Sequence, residues 1–273
     1  MDTVLLTYLA IGTYMTAFGL RAVMLESPAT PQLPHTKRWS CALLGTLAVT
    51  IHGAALLKAN NYGADINFSL LHAMSLVMLV TNTLVLLTSF IRPAEQLGIV
   101  TFPLTASILL IGQFVSEPIR NIHNPSLGMS AHILSSLLAF SFLGIAAIQA
   151  TLLSIQDACL RRRHFKAWIL RSLPSLESME SLMFRLIGMG FIFLSASLAS
   201  GFLFLENMFA QHLAHKTILT LLAWVIFGIL MLGRMRFGWR GIVAIRWTLI
   251  GFLALLLGYF GSKFVIELIL KRS

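Results

Sequence analysis

The sequence predicts an all-α membrane protein, a polytopic helical bundle of about eight transmembrane helices. Hydrophobic residues make up 57% of the 273-residue chain and charged residues only 11%, less than half the share of about 25% that is usual in soluble proteins. Eight apolar stretches in the chain approach the ~20 residues that a transmembrane helix needs. Since little sequence remains for an aqueous domain, we expect a single transmembrane domain over residues 1–273.

Polar and proline-containing connections separate these stretches. The first stretch is preceded only by Met1-Asp2 and followed by Arg21, so it lacks the basic segment of a signal peptide and is expected to remain as a helix. Residues 157–183 are the most polar part of the chain. We expect a cytoplasmic loop there, with a surface helix that begins near Ser175. The expected spans are 3–20, 40–57, 68–91, 96–116, 128–155, 184–205, 217–233 and 244–262.

Basic residues are concentrated in every second loop, and the loop over 161–171 is the most basic of all. Because basic loops tend to stay on the cytoplasmic side, both termini are expected on the periplasmic side of a bacterial inner (plasma) membrane. Attraction to anionic lipid headgroups accounts for the net charge of +10. The sequence therefore indicates membrane lipid as a partner and no nucleic acid.

Six of the eight histidines lie toward the predicted periplasmic side. His52, His72 and His132 fall inside helices, roughly 6–9 Å below the membrane boundary at ~1.5 Å of rise per residue, and His215 falls near the last outer loop. Ionisable residues within a membrane are commonly functional, and a neutral imidazole has a lone pair suited to haem iron. The pattern predicts a haem site with His132 and His52 as preferred axial ligands and His72 or His215 as substitutes.

The same histidines also have a purely structural interpretation. An intramembrane imidazole can bond a polar side chain or a backbone carbonyl of a neighbouring helix. The available side chains are Ser69, Ser75, Asn82, Ser135 and Ser136. In the haem interpretation, Lys58, Arg120 or Lys216 would pair with the haem propionates. Both interpretations stay open at this level.

Catalytic patterns are not found in the sequence. It has no Ser/His/Asp grouping with useful spacing and no paired carboxylates, and Cys41 and Cys159 form no motif. An enzyme is therefore not indicated.

Several short motifs, most of them in the last third of the chain, carry a family resemblance. The chain resembles the cytochrome c assembly protein family, and within it the small HemX-like and YpjD-like branch of bacterial inner-membrane proteins. The motifs are Leu173-Pro174-Ser175-Leu176-Glu177, Phe184-Arg185-Leu186-Ile187-Gly188, His215-Lys216-Thr217 with Trp224, Gly238-Trp239-Arg240-Gly241 and Gly258-Tyr259-Phe260-Gly261, with Asn67-Phe68-Ser69-Leu70-Leu71 and the start of span 5 around His132.

This resemblance implies an eight-helix protein with a haem-binding or haem-handling accessory role in cytochrome c assembly, next to another membrane protein. It implies that His132 matches a family histidine at the outer start of its helix, and that His52 matches an early intramembrane histidine. The chain departs from the family at the tryptophan-rich outer loop (WGxxWxWD), where it has only residues 206–216, and at Arg234, where relatives often have a histidine.

These departures keep two alternatives open. One is a non-haem structural or regulatory partner of a membrane complex, which would dock through the basic loop 161–171. The other is a small-molecule transporter, which the lack of an internal repeat disfavours.

Overall fold

A computed structural model shows a helical protein with one very short two-stranded ribbon. Within the part of the chain that it describes, eight helices are long and apolar enough to cross a membrane, as the composition predicts. On which side of the membrane the termini lie stays a prediction. The described residues are 2–26, 35–60, 65–67, 69–91, 96–115, 121–123, 126–161, 174–204 and 211–261.

Several helices extend beyond the spans predicted from hydropathy, as the fifth and sixth illustrate. The fifth helix continues to Arg161 rather than residue 155, and the sixth begins at Leu176 rather than residue 184 and runs without a break into the membrane span. Hydropathy registers only the lipid-facing part of a helix, whereas Gln, Glu and Arg also favour helix outside lipid. The helices are α1 (Thr3–Glu26), α2 (His35–Ala59), α3 (Leu70–Ile91), α4 (Leu97–Phe114), α5 (Leu127–Arg161), α6 (Leu176–Phe204), α7 (Gln211–Phe237) and α8 (Gly241–Leu256), which continues as a π-helical turn over Leu257–Gly261.

The ribbon joins two connections that are far apart in sequence. Strand β1 (Asp65–Asn67) lies between α2 and α3, and strand β2 (Asn121–His123) follows α4. They pair antiparallel, with Ile66 opposite Ile122. The ribbon therefore ties together two loops at the same end of α2, α3 and α4.

The chain forms two compact units. Unit 1 comprises Met1–Asn124 and Ala158–Ser175, and unit 2 comprises Pro125–Asp157 and Leu176–Ser273. Each unit is described by itself below, and the expectation of one transmembrane domain over residues 1–273 stays a prediction.

Unit 1 is built from α1 to α4, in which α1 and α3 each contact both α2 and α4. The buried face of α1 carries Ala10, Tyr14 and Ala17, whose spacings of four and three residues return to one side of a helix. The ring of the fully buried Phe102 in α4 lies 5.5 Å from the Tyr14 ring. The small alanines let the helices approach closely enough for these two aromatic rings to fill the core.

Unit 2 contains an antiparallel pair, α5 and α6, that meet closely at two glycines. Gly128 at the start of α5 packs against the ring of Phe204 at the end of α6, and Leu143 further along α5 packs on Gly190. Helix α7 contacts α6 and α8. Close packing at glycines fixes the register of the α5–α6 pair, and that register positions His132.

Candidate functional site

A cavity of about 310 Å³ lies at the end of unit 1 where α1 and α3 begin and α2 and α4 end. Ligand pockets generally have volumes of ~300–1,000 Å³, so this cavity is at the small end of the range. Two of the predicted site residues, His52 and His72, line it together. The sequence placed these histidines at similar depth, and the structure brings both to one cavity.

The imidazole of His52 is fully buried and has a hydrogen-bond partner on each nitrogen. Its Nδ1 lies 3.3 Å from the hydroxyl of Tyr14, and its Nε2 lies 2.9 Å from the hydroxyl of Ser75. These contacts join α1, α2 and α3. They agree with the structural interpretation of the sequence, in which the imidazole bonds polar groups of neighbouring helices. An iron ligand needs a free lone pair, so the predicted axial role of His52 requires one of these hydrogen bonds to open. That role stays a prediction.

His72 differs from His52 in having an available nitrogen. It precedes Ser75 by three residues on α3, so both side chains lie on one face of the helix. Its Nε2 atom is buried, and none of the described residues hydrogen-bonds to it. Leaving a buried polar group without a partner costs about 1–3 kcal/mol. Of the two histidines at the cavity, His72 is the one that can bind something from outside the chain.

His132 lies in unit 2 and has a defined tautomer. Its Nδ1 is 2.9 Å from the backbone carbonyl oxygen of Ser197 and 3.4 Å from the hydroxyl of Ser200. A carbonyl oxygen only accepts hydrogen bonds, so Nδ1 carries the hydrogen and the neutral ring has its lone pair on Nε2. Among the described residues, none hydrogen-bonds to Nε2. Metal-binding histidines are commonly oriented in this way, by a carbonyl that accepts from the other nitrogen.

The α5–α6 pair holds His132 through a small polar cluster. Ser136, one turn after His132, has its hydroxyl 2.7 Å from the hydroxyl of Ser197 and donates to the His132 carbonyl at 2.6 Å. Ser197 is buried, whereas His132 is partly exposed. The cluster therefore holds the Nδ1 edge of the imidazole and leaves Nε2 on the accessible side.

Of the remaining predicted residues, Lys58 lies in the last turn of α2 and Lys216 in α7, and neither lines the cavity. The others fall outside what the structure describes in side-chain detail. The backbone of His215 lies in the first turns of α7, but its side chain is outside the described residues, so its role as a substitute ligand stays a prediction. Residues 116–120, with Arg120, and residues 162–173, with His164, are also outside them. His52 belongs to unit 1 and His132 to unit 2, so their convergence on one haem stays a prediction as well.

Tyr14 is a site residue that sequence reasoning missed. It falls inside the apolar span expected over residues 3–20, and although it does not line the cavity, its hydroxyl contacts His52, which does. The available signal was the spacing of Ala10, Tyr14, Ala17 and Arg21, which places a tyrosine and an arginine on one face of α1 with two small residues.

Arg234 has a structural partner in unit 2. The carboxylate of Glu180 in α6 accepts a hydrogen bond from the Arg234 guanidinium at 3.1 Å and another from the backbone N–H of Gly241 at 3.0 Å. The guanidinium also donates to the carbonyl of Trp239 at 3.1 Å and lies 4.5 Å from the Phe184 ring centroid. The Arg234 side chain therefore connects the α7–α8 turn to α6.

Comparison with known proteins agrees with this architecture. The model of the family described as Cytochrome C assembly protein matches residues 40–270. The chain is 30% identical to the inner membrane protein YpjD of Escherichia coli strain K12 over 207 residues, which cover 74% of this chain and 76% of that protein. It is also 30% identical to an uncharacterized 28.8 kDa protein of Azospirillum brasilense, from a nifR3-like 5' region, over 171 residues that cover 60% of this chain and 63% of that one. No solved structure matches the chain.

The location of the protein follows from two observations. The described part of the chain has eight helices suited to cross a membrane, and the chain is similar to an E. coli inner membrane protein. It is thus a multi-pass protein of the bacterial inner membrane. Because the family model spans most of the sequence and the E. coli relative is matched over most of both chains, the chain belongs to the cytochrome c assembly protein family, which indicates a role in the biogenesis of c-type cytochromes.

Proposed function

We propose that this protein is a haem-handling accessory protein of cytochrome c assembly that holds haem non-covalently through His132 and performs no bond-making step. The observation that carries the proposal is the hydrogen bond from His132 Nδ1 to the Ser197 carbonyl, at 2.9 Å. It fixes the tautomer that leaves Nε2 with a lone pair. His132 Nε2 would then hold the iron of a haem bound at this position.

His132 fits the role better than the two histidines of unit 1. His52 has both nitrogens in hydrogen bonds. His72 has an available Nε2, but none of the described residues hydrogen-bonds to its ring, so nothing orients it in the way that the Ser197 carbonyl orients His132. His132 is therefore the first candidate and His72 the second.

We also propose that both termini face the periplasm, which follows from the basic loops. In this orientation the N-terminal ends of α3 and α5 lie at the periplasmic side. His72 and His132, in the first turns of these helices, would then be near the compartment in which c-type cytochromes are exposed.

A second candidate function is a structural or regulatory partner of a membrane complex that binds no haem. The contact between Arg234 and Glu180 favours it. Where relatives often have a histidine, this chain has a guanidinium, which offers no lone pair to iron and is engaged in fastening the α7–α8 turn.

Absorption spectroscopy of the purified protein tests the proposal. We expect a Soret band after haem is added to the wild type, loss of the band in His132→Gly, and its return when free imidazole is supplied to that variant. Imidazole rescue separates a lost ligand from a misfolded protein. His35→Ala is the control, because His35 lies at the other end of its helix from His52, and it should keep the band.

The other outcomes are also decisive. Absence of a Soret band in the wild type with excess haem would reject haem binding and favour the structural partner. A Soret band that survives in His132→Gly but is lost in His72→Ala would show that the haem ligand is His72, in unit 1, and not His132.

A further inference from the structure

The cavity of unit 1 is lined by apolar and polar side chains in similar proportion. Leu56, Ile108 and Leu109, all at least nine-tenths buried, form the apolar part of its wall. The polar part includes the buried His52 and Ser75 as well as Thr3, Asn67 and Gln113, which lie near the ends of their elements. An apolar wall together with a few placed polar groups is the combination by which pockets bind and orient small molecules.

The described lining of the cavity has no fixed charge. Neither a carboxylate nor a lysine or arginine contributes to it, and its ionisable groups are His52 and His72. A charged ligand would lose its hydration here without gaining a counter-ion, which is strongly unfavourable. A neutral ligand loses much less, so the lining selects for neutral molecules.

Among the described lining residues, one buried polar atom has no hydrogen-bond partner. His52 uses both ring nitrogens, bonding Tyr14 and Ser75, and is thereby held in the wall. His72 Nε2 is buried and has no hydrogen-bond partner among the described residues. A hydroxyl oxygen of a ligand can satisfy this nitrogen in either tautomer, because it both donates and accepts.

From these observations we infer a second binding site, distinct from His132: the unit 1 cavity binds a neutral, lipid-soluble molecule through a hydroxyl group that hydrogen-bonds to His72 Nε2. The apolar part of the ligand packs on Leu56, Ile108 and Leu109. Water can satisfy the imidazole, but it gains nothing from Leu56, Ile108 and Leu109, whereas a ligand with an apolar part also removes that surface from water. The site does not depend on haem binding elsewhere in the protein.

Three probes with the same tail test the ligand class: 4-octylphenol, octylbenzene and 4-octylbenzoate. The first has a neutral hydroxyl group, the second has no polar group, and the third has a charged carboxylate. Binding is followed through the imidazole resonances of ¹⁵N-histidine-labelled protein in detergent, with His72 assigned from the spectrum of His72→Gln. We expect 4-octylphenol to shift the His72 resonance saturably and to bind roughly tenfold more tightly than octylbenzene, as one hydrogen bond provides. We expect 4-octylbenzoate to bind at least as weakly as octylbenzene.

Variants separate the site from general partitioning into detergent. In His72→Ala the preference for 4-octylphenol over octylbenzene should disappear, and in His132→Ala it should persist. Leu109→Trp, which fills the cavity but leaves His72 in place, should abolish saturable binding of all three probes.

Equal binding of the phenol and the hydrocarbon, or preference for the benzoate, would overturn the inference. A His72 resonance that no probe shifts would overturn it too and indicate a cavity filled by water. None of these results bears on the Soret band of His132, so the two proposals can fail separately.

Discussion

The hydroxyl of Tyr14 lies 3.3 Å from Nδ1 of His52, and the two rings meet edge to face at an interplanar angle of 83°. Together with Ser75 on the opposite nitrogen, this contact makes His52 a junction of three helices. The membrane interior offers no water to replace a lost partner, so every member of the junction should matter for stability.

We expect Tyr14→Phe and Ser75→Ala each to lower the free energy of unfolding by about 1–3 kcal/mol, because each leaves a nitrogen of a buried imidazole without a partner. Thermal or denaturant unfolding in detergent micelles measures the effect. The control is Thr46→Val, since Thr46 is exposed on α2 and bonds only a carbonyl one turn earlier; its effect should stay within about 0.5 kcal/mol. Unchanged stability in both junction variants would contradict this role of His52.

Glu180 and Arg234 should be energetically coupled. Their side chains are only 15% and 27% exposed, and the carboxylate also accepts from Gly241 N–H. Glu180→Gln and Arg234→Ala should each cost about 1.5–3 kcal/mol, as for hydrogen bonds to charged groups. A double-mutant cycle should give a coupling of about 0.5–3 kcal/mol. Glu177→Gln, an exposed carboxylate in the first turn of the same helix, is the control, and additive single effects would disprove the coupling.

Gly190 should not tolerate a side chain. A Cβ atom there would come within 2.6 Å of Leu143 Cγ and 3.3 Å of the Leu143 backbone nitrogen, so α5 and α6 would have to separate. We expect Gly190→Ala to destabilise the protein by about 1–3 kcal/mol. At Gly112 a Cβ meets nothing within 4 Å, and Gly112→Ala should be neutral or stabilising by up to about 1 kcal/mol. Equal stability of the two variants would show that α5 and α6 are not in close contact at Gly190.

The proposed orientation can be tested with single cysteines in a variant from which Cys41 and Cys159 have been removed. In intact spheroplasts a membrane-impermeant maleimide should label Asp2→Cys, near the N-terminus, and should not label Arg240→Cys in the α7–α8 turn. Both positions are exposed. The opposite labelling pattern would reverse the topology and move His72 and His132 to the cytoplasmic side.

Hydropathy was sufficient to predict the number of spanning helices, because each needs a long apolar stretch. It was not sufficient for helix ends, since Arg161 and Glu177 are polar and nevertheless helical. The β1–β2 ribbon was not predicted. Its strands have three residues each and pair across more than fifty positions of sequence, and such short segments carry no periodicity.

The candidate site was predictable only in part. Intramembrane histidines stand out in a sequence, and Ser75 was among the side chains expected to bond one of them. The spacing of Ala10, Tyr14 and Ala17 indicates which face of α1 is buried, but it does not indicate that the Tyr14 hydroxyl meets His52. The partner that orients His132 is a backbone carbonyl, and since every residue has one, no sequence pattern identifies Ser197.

Helix α5 is longer than the hydrocarbon layer is thick. Its 35 residues extend ~52 Å at ~1.5 Å per residue, against about 30 Å for the apolar core of a bilayer. Its length exceeds that layer by ~22 Å, about four turns. The half of α5 that ends at Arg161 keeps Leu153 and Gln156 buried, so this end remains packed along one side wherever it leaves the acyl chains. A soluble protein at the membrane surface would therefore meet a structured helical surface there rather than loose chain.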